Sequence, residues 1–323
     1  VAASNGKGEH RGPRRSKWRR VVFALGIVFV VVLAGCAWLL RDPTPYFAKQ
    51  RSTLARVDTV TSTADSLSRD QLLRLTAANG FNFELAVRRP VAPSSAPRRL
   101  FVILGGQRAG RQAALLFPDT RGTVVAAIEY PYHGAPNPKG IAVAGQVPAI
   151  RKAILDTPPA IMLALDYLLT LPEVDTTRVE LIGASFGAPF SAIVAGLDKR
   201  VTRLWLLHGA ADPYALLEHN LERYVGFAPL RALVAGIANV LIAGPRLDPA
   251  RWVDDVSPRP VVMINALADE RIPRPLVERL YESAQQPKEQ HWLPGMHMQR
   301  NRMDVLTALV DTVMALARRD TLR

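Results

Sequence analysis

The pentad Gly183-Ala184-Ser185-Phe186-Gly187 sets a serine between two glycines, where the β-rich run RVELIG gives way to the helix-like FGAPFSAIV. A strand-to-helix turn of the form G-x-S-x-G pushes the serine Oγ out at the carboxyl end of a sheet, where an adjacent base turns a weak hydroxyl into a nucleophile. The competing reading is a small residue in a tight turn. Cys36 is the single cysteine, which excludes both an internal disulfide and a multi-cysteine metal site.

Such a turn requires a sheet around it, and the chain alternates β-rich and helical stretches. Residues 81–87, 100–106, 123–130, 178–183, 202–209, 260–269 and 289–293 read as strands. Several are continuous apolar runs, the pattern of strands covered on both faces. Helices are expected over 108–117, 159–170, 187–197 and 300–318. This alternation predicts an α/β fold with a mostly parallel central sheet and helices on both faces. One connection, about 211–259, is too long for that rhythm and contains the apolar, helix-patterned ALLEHNLERYVGFAPLRALVAGIANVLIAG. It reads as a helical cap over the carboxyl ends of the strands, where ligands bind in open α/β sheets, or alternatively as ordinary core helices.

The 323 residues suffice for a large core, and half of them are apolar. A net charge of +13 suggests nucleic acid until it is located: residues 1–20 hold seven Lys/Arg against Glu9 alone. Without a basic stripe interleaved with aromatics, nucleic-acid binding is not expected. Residues 21–40, VVFALGIVFVVVLAGCAWLL, carry no charge and have the length of a membrane span. The basic residues before it would hold the amino terminus in the cytoplasm and place the rest outside. Leu33-Ala34-Gly35-Cys36 resembles a bacterial lipobox, which makes a lipoprotein tethered through Cys36 the alternative to an intact anchor. Pro43 and Pro45 then break the helix. The expected organisation is a basic tail (1–20), an anchor or signal segment (21–40), a linker and lead-in (41–80), and the main domain (81–323).

From about Phe81 to Arg318 the chain resembles the α/β-hydrolase fold, in its serine-hydrolase branch of esterases, lipases and peptidases. The resemblance rests on the pentad and on two further segments. It implies the chain order nucleophile, acid, histidine, each just after a strand. Ser185 takes the first place. Asp269 in PVVMINALADERIP takes the second, with Asp212 in HGAADPY as the substitute and Asp254 and Asp255 as weaker ones. His297 in WLPGMHM takes the third, since an imidazole that titrates near neutrality accepts the serine proton and returns it. His291 is its rival within a strand, and His208 and His133 fall out of order, as pocket-lining residues at most. The resemblance also implies two backbone N–H donors for the oxyanion, from Phe186 and from Gln107 in LFVILGGQRAG, with Gly106 next. Gly105 stands where this fold often has a histidine. EYPYHGAP, residues 129–136, resembles the D-x-P-G-H-G loop, with Glu129 for the aspartate and Tyr132 for a glycine, and reads as structural.

The expected function is therefore a membrane-tethered serine hydrolase cleaving carboxylic esters through an acyl-enzyme. Its substrate is expected to be a small-molecule or lipid ester. No metal or organic cofactor is expected, because that route needs neither. A peptidase of the same fold and an anchored binding protein without catalysis are the alternatives.

Overall fold

The computed structural model describes residues 15–116, 120, 122–135, 140 and 142–319. The tail up to residue 14, Phe117 at the end of the expected 108–117 helix, and Pro136 of the EYPYHGAP loop lie outside the described residues. Two compact units are formed, Val1–Arg41 and Asp42–Arg323.

The first unit contains α1 (Arg15–Leu39). Its stretch Trp18–Leu39 is 22 residues of high hydropathy with no residue buried. At 1.5 Å rise per residue it is about 33 Å long, enough by length and composition to cross a bilayer core.

The second unit is built on a nine-stranded sheet, in the order β1-β2-β3-β5-β4-β6-β7-β8-β9. The strands are β1 (Leu54–Ala64), β2 (Ser68–Ala77), β3 (Asn82–Pro90), β4 (Arg98–Leu104), β5 (Val124–Ile128), β6 (Val174–Ala184), β7 (Arg203–Leu207), β8 (Val261–Ala266) and β9 (Lys288–Leu293). Pairing is antiparallel from β1 to β3 and between β3 and β5, and parallel from β5 across to β9. β5 and β8 are buried at every position, as continuous apolar runs require. Because side chains alternate across a strand, the central strands β4 to β8 feed two cores. Leu100, Val102 and Leu104 of β4 pack with α3 (Ala142–Leu168) and α4 (Ala188–Leu197). Phe101 and Ile103 pack on the opposite face with Leu309, Val313 and Met314 of α9 (Met303–Arg319).

Four elements depart from the sequence expectation. Residues 54–77, expected as lead-in, form β1 and β2; β1 is polar and mostly exposed, so its pairing and not its periodicity makes it a strand. α3 begins well before the expected residue 159 and runs through Pro148, Pro158 and Pro159. An interior proline costs a helix about 3 kcal/mol, and full burial of each Ile or Leu contributes about 1.5–3 kcal/mol. Ile161, Leu163, Leu165 and Leu168 are all buried there. The expected 108–117 helix is a 3₁₀ segment, Gly110–Leu116.

Proline sits at the start of α2 (Thr44–Arg51), where a missing N–H costs nothing. Between β7 and β8 lie α5 (Pro213–Leu221), α6 (Ala228–Leu241) and α7 (Gly244–Leu247), and α8 (Arg274–Ser283) connects β8 to β9. Arg231 of α6 pairs with Glu218 of α5 at 2.5 Å. Asn220 of α5 donates to the carbonyl of Arg271, so this helical hairpin lies against the loop after β8.

Candidate active site

β6 ends at Ala184, and the chain turns at Ser185 with φ +52° into a 3₁₀ turn and α4. A left-handed φ is uncommon outside glycine and marks local strain. The flanking glycines are demanded by close approach. A Cβ on Gly187 would stand 2.2 Å from the Leu104 carbonyl oxygen of β4, and one on Gly183 would stand 2.6 Å from Ser191 Oγ. The Leu104 oxygen is backbone in a buried strand and cannot step aside. Gly187→Ala is therefore expected to lower stability by about 2–3 kcal/mol, read as a lower urea midpoint at unchanged slope.

The loop after β8 carries Asp269, and the loop between β9 and α9 carries His297, which is 4% exposed. Ser185 Oγ lies 2.8 Å from His297 Nε2, and His297 Nδ1 lies 2.8 Å from Asp269 Oδ2. An ionised carboxylate only accepts, so the proton sits on Nδ1 and leaves Nε2 free to accept from the serine hydroxyl. Burial, the largest single influence on Asp269, pushes its carboxyl up; bonds from His208, His297 and the Arg271 N–H together outweigh it and hold the group well below the usual carboxylate range. Its Oδ1 accepts from the backbone N–H groups of Arg271 and Ile272, each at 2.9 Å. The arrangement is able to draw a proton from Ser185 and to stabilise the imidazolium that forms.

The other acids and histidines lie elsewhere. Asp212 caps α5 by accepting from the Ala215 N–H at 3.1 Å and pairs with Arg279 at 2.8 Å. Asp254 and Asp255 lie in a 3₁₀ turn ahead of β8. His291, on β9, faces Glu289 at 3.2 Å. His133 is exposed and lines a cavity of about 280 Å³ with Lys152 and Asp156. Phe186 is the second residue of the 3₁₀ turn Ser185–Gly187, where the first N–H groups of a helix have no partner within it; its ring packs on Tyr130 and Phe190 with centroids 5.2 Å away from each. Gln107 is exposed in the turn Gly106–Ala109, and the Tyr130 hydroxyl donates to the preceding Gly105 carbonyl.

Sequence reasoning missed three contributors. Glu270 accepts from the His297 backbone N–H at 2.9 Å and pairs with Arg302 at 2.8 Å. Arg302 in turn donates to the His297 carbonyl at 2.6 Å. His208, expected only as a pocket residue, lies 3.1 Å from Asp269 Oδ2. None has a local signal, because the Glu270 and His208 bonds join different loops and Arg302 acts within the histidine loop only once that loop is folded.

No family model matches the chain. Two curated relatives, the uncharacterized protein YfhR of Salmonella typhi and of Salmonella typhimurium, are each 29% identical over 150 residues. The match spans 42% of this chain and 45% of each relative, less than half their length. Among solved structures, acetyl xylan esterase 1 from Thermoanaerobacterium sp. is similar with a TM-score of 0.59 and 16% identity, over 83% of this chain and 92% of that one. The acetyl xylan esterase from Paenibacillus sp. R4 gives 0.57 and 18%, over 84% and 91%. The α/β hydrolase GrgF from Penicillium sp. gives 0.54 and 15%, over 82% and 99%. In sheet order, in the turn at Ser185 and in its structural neighbours, this chain has the α/β-hydrolase fold.

Proposed function

We propose that the protein is a serine hydrolase that cleaves carboxylic esters through an acyl-enzyme. The observation that carries this reading is the unbroken path from Ser185 Oγ through His297 to Asp269, two contacts of 2.8 Å at the carboxyl edge of the sheet. Ser185 attacks the ester carbonyl as His297 Nε2 takes its proton; the proton then passes to the leaving alcohol, and water, deprotonated by the same nitrogen, releases the acid. The N–H groups of Phe186 and Gln107 meet the charge that develops on the carbonyl oxygen. The neighbours that are named acetyl xylan esterases support an ester over a peptide substrate.

The α5–α6 hairpin is read as a cap. Leu230, Leu233, Val234 and Ile237 of α6 are exposed, which favours an apolar acyl group. Against p-nitrophenyl esters, kcat/KM is expected to rise from acetate to hexanoate, while peptide substrates stay uncleaved. Fluorophosphonate should label Ser185, and a flat response across esters and peptides together with no labelling would favour a binding protein.

The long apolar α1 supports a tether to the membrane, with the catalytic unit on the extracytoplasmic side by the positive-inside rule. Removing residues 1–41 is expected to move activity from the membrane pellet to the soluble fraction with kcat/KM for short esters unchanged. Retention in the pellet would remove the tether.

A further inference from the structure

His208 directly follows β7, is 1% exposed, and takes a backbone φ of +51°. Proton transfer between Ser185 and His297 makes no use of it. Its Nδ1 nonetheless lies 3.1 Å from Asp269 Oδ2, the oxygen that His297 Nδ1 reaches at 2.8 Å. The two rings meet edge to face, with centroids 5.2 Å apart. One carboxylate oxygen therefore faces two imidazoles.

His208 Nδ1 has a second neighbour, the Met298 N–H at 3.3 Å. A nitrogen cannot donate to one of these and accept from the other. The carboxylate contact is shorter and charge-assisted, about twice as strong as a neutral bond. The proton accordingly sits on Nδ1 and points at Asp269. From β8 the residue meets a backbone group, the Ile264 carbonyl, which accepts its N–H. The loop after β8 contributes Asp269 and the loop after β9 contributes His297. Glu270 and Arg302 bond the His297 backbone and not either ring. Beside the adjoining Gly209 stand Ala188 of α4 and Leu280 of α8, both apolar.

We propose that His208 is a positioning residue: by donating to Asp269 Oδ2 it fixes the carboxylate and sets the pH range over which His297 serves as base, a role that rests on the serine-hydrolase reading above. Its bond draws charge from Oδ2, so Asp269 grips a protonated His297 less tightly. Without it, His297 releases its proton only at higher pH.

His208→Phe keeps the ring and removes the donor. The acid limb of kcat/KM is expected to move up by about half a pH unit, and kcat at neutral pH to fall several-fold with KM little changed. His208→Asn returns an amide donor near the Nδ1 position and tolerates a left-handed φ; it is expected to restore both the limb and kcat. A phenylalanine variant with the wild-type limb, or an asparagine variant that behaves like it, overturns the proposal. Should the phenylalanine variant not fold, long-range ¹H–¹⁵N spectra of the wild-type protein decide: His208 is expected as the Nδ1–H tautomer, and an Nε2–H tautomer refutes the bond. Absence of fluorophosphonate labelling at Ser185 sinks the hydrolase reading and the pH role with it, whereas labelling with an Nε2–H tautomer sinks only the part played by His208.

Discussion

Ser185→Ala is expected to lower kcat for ester hydrolysis by about 10⁴–10⁶-fold and to abolish fluorophosphonate labelling, with the urea midpoint almost unchanged. The stability expectation follows from what the side chain does in the fold. Ser185 is half-buried, and its hydroxyl makes one bond, to His297 at 2.8 Å. Alanine keeps the Cβ and the left-handed turn, so the loss is about one hydrogen bond, on the order of 1 kcal/mol. Adding His297→Ala to Ser185→Ala should cost little more activity, because the two groups act as one unit. Residual turnover within tenfold of wild type in the single mutant would refute the assigned nucleophile.

Asp269→Asn carries the second large effect, and the structure fixes how the amide must sit. Oδ1 accepts from two backbone N–H groups at 2.9 Å, so the asparagine oxygen stays there and the NH₂ takes the place of Oδ2. A donor then faces His297 Nδ1, the ring carries its proton on Nε2, and it can no longer accept from Ser185. The expected loss in kcat is about 10⁴-fold. Asp212→Asn should instead leave kcat near wild type and cost stability of about 1 kcal/mol or less, since that residue caps α5 and pairs with Arg279. A larger rate loss from Asp212→Asn than from Asp269→Asn would reverse the assignment of the acid.

The same substitution reads out charge in the folded state. The Asp269 carboxyl is held well below the usual range, while in the unfolded chain it titrates near about 3.9. A lowered folded value means that its stabilisation is fully present above the unfolded value and is lost as pH falls through the folded one. The urea-midpoint gap between wild type and Asp269→Asn should therefore narrow as pH falls below about pH 4. A gap that widens as pH falls below about pH 4, where the carboxylate itself takes up its proton, would contradict the bonding described for this carboxylate.

What the sequence determined by itself was local. The glycine-flanked turn at Ser185, the apolar runs of β4 to β8 and the length of α1 are each written in contiguous residues, because turn chemistry and side-chain period act over one element at a time. The tertiary structure decided the rest. β1 is polar and becomes a strand only by pairing with β2, outward from β3. α3 continues through three prolines because burial against the sheet outweighs their cost. That Asp269 and not Asp212 stands beside His297, that His208 shares the same oxygen, and that Glu270 and Arg302 hold the histidine loop all depend on where separate loops meet at one edge of the sheet. Such meetings follow from strand order and register, which join residues far apart in the chain and leave no periodic trace within any one segment.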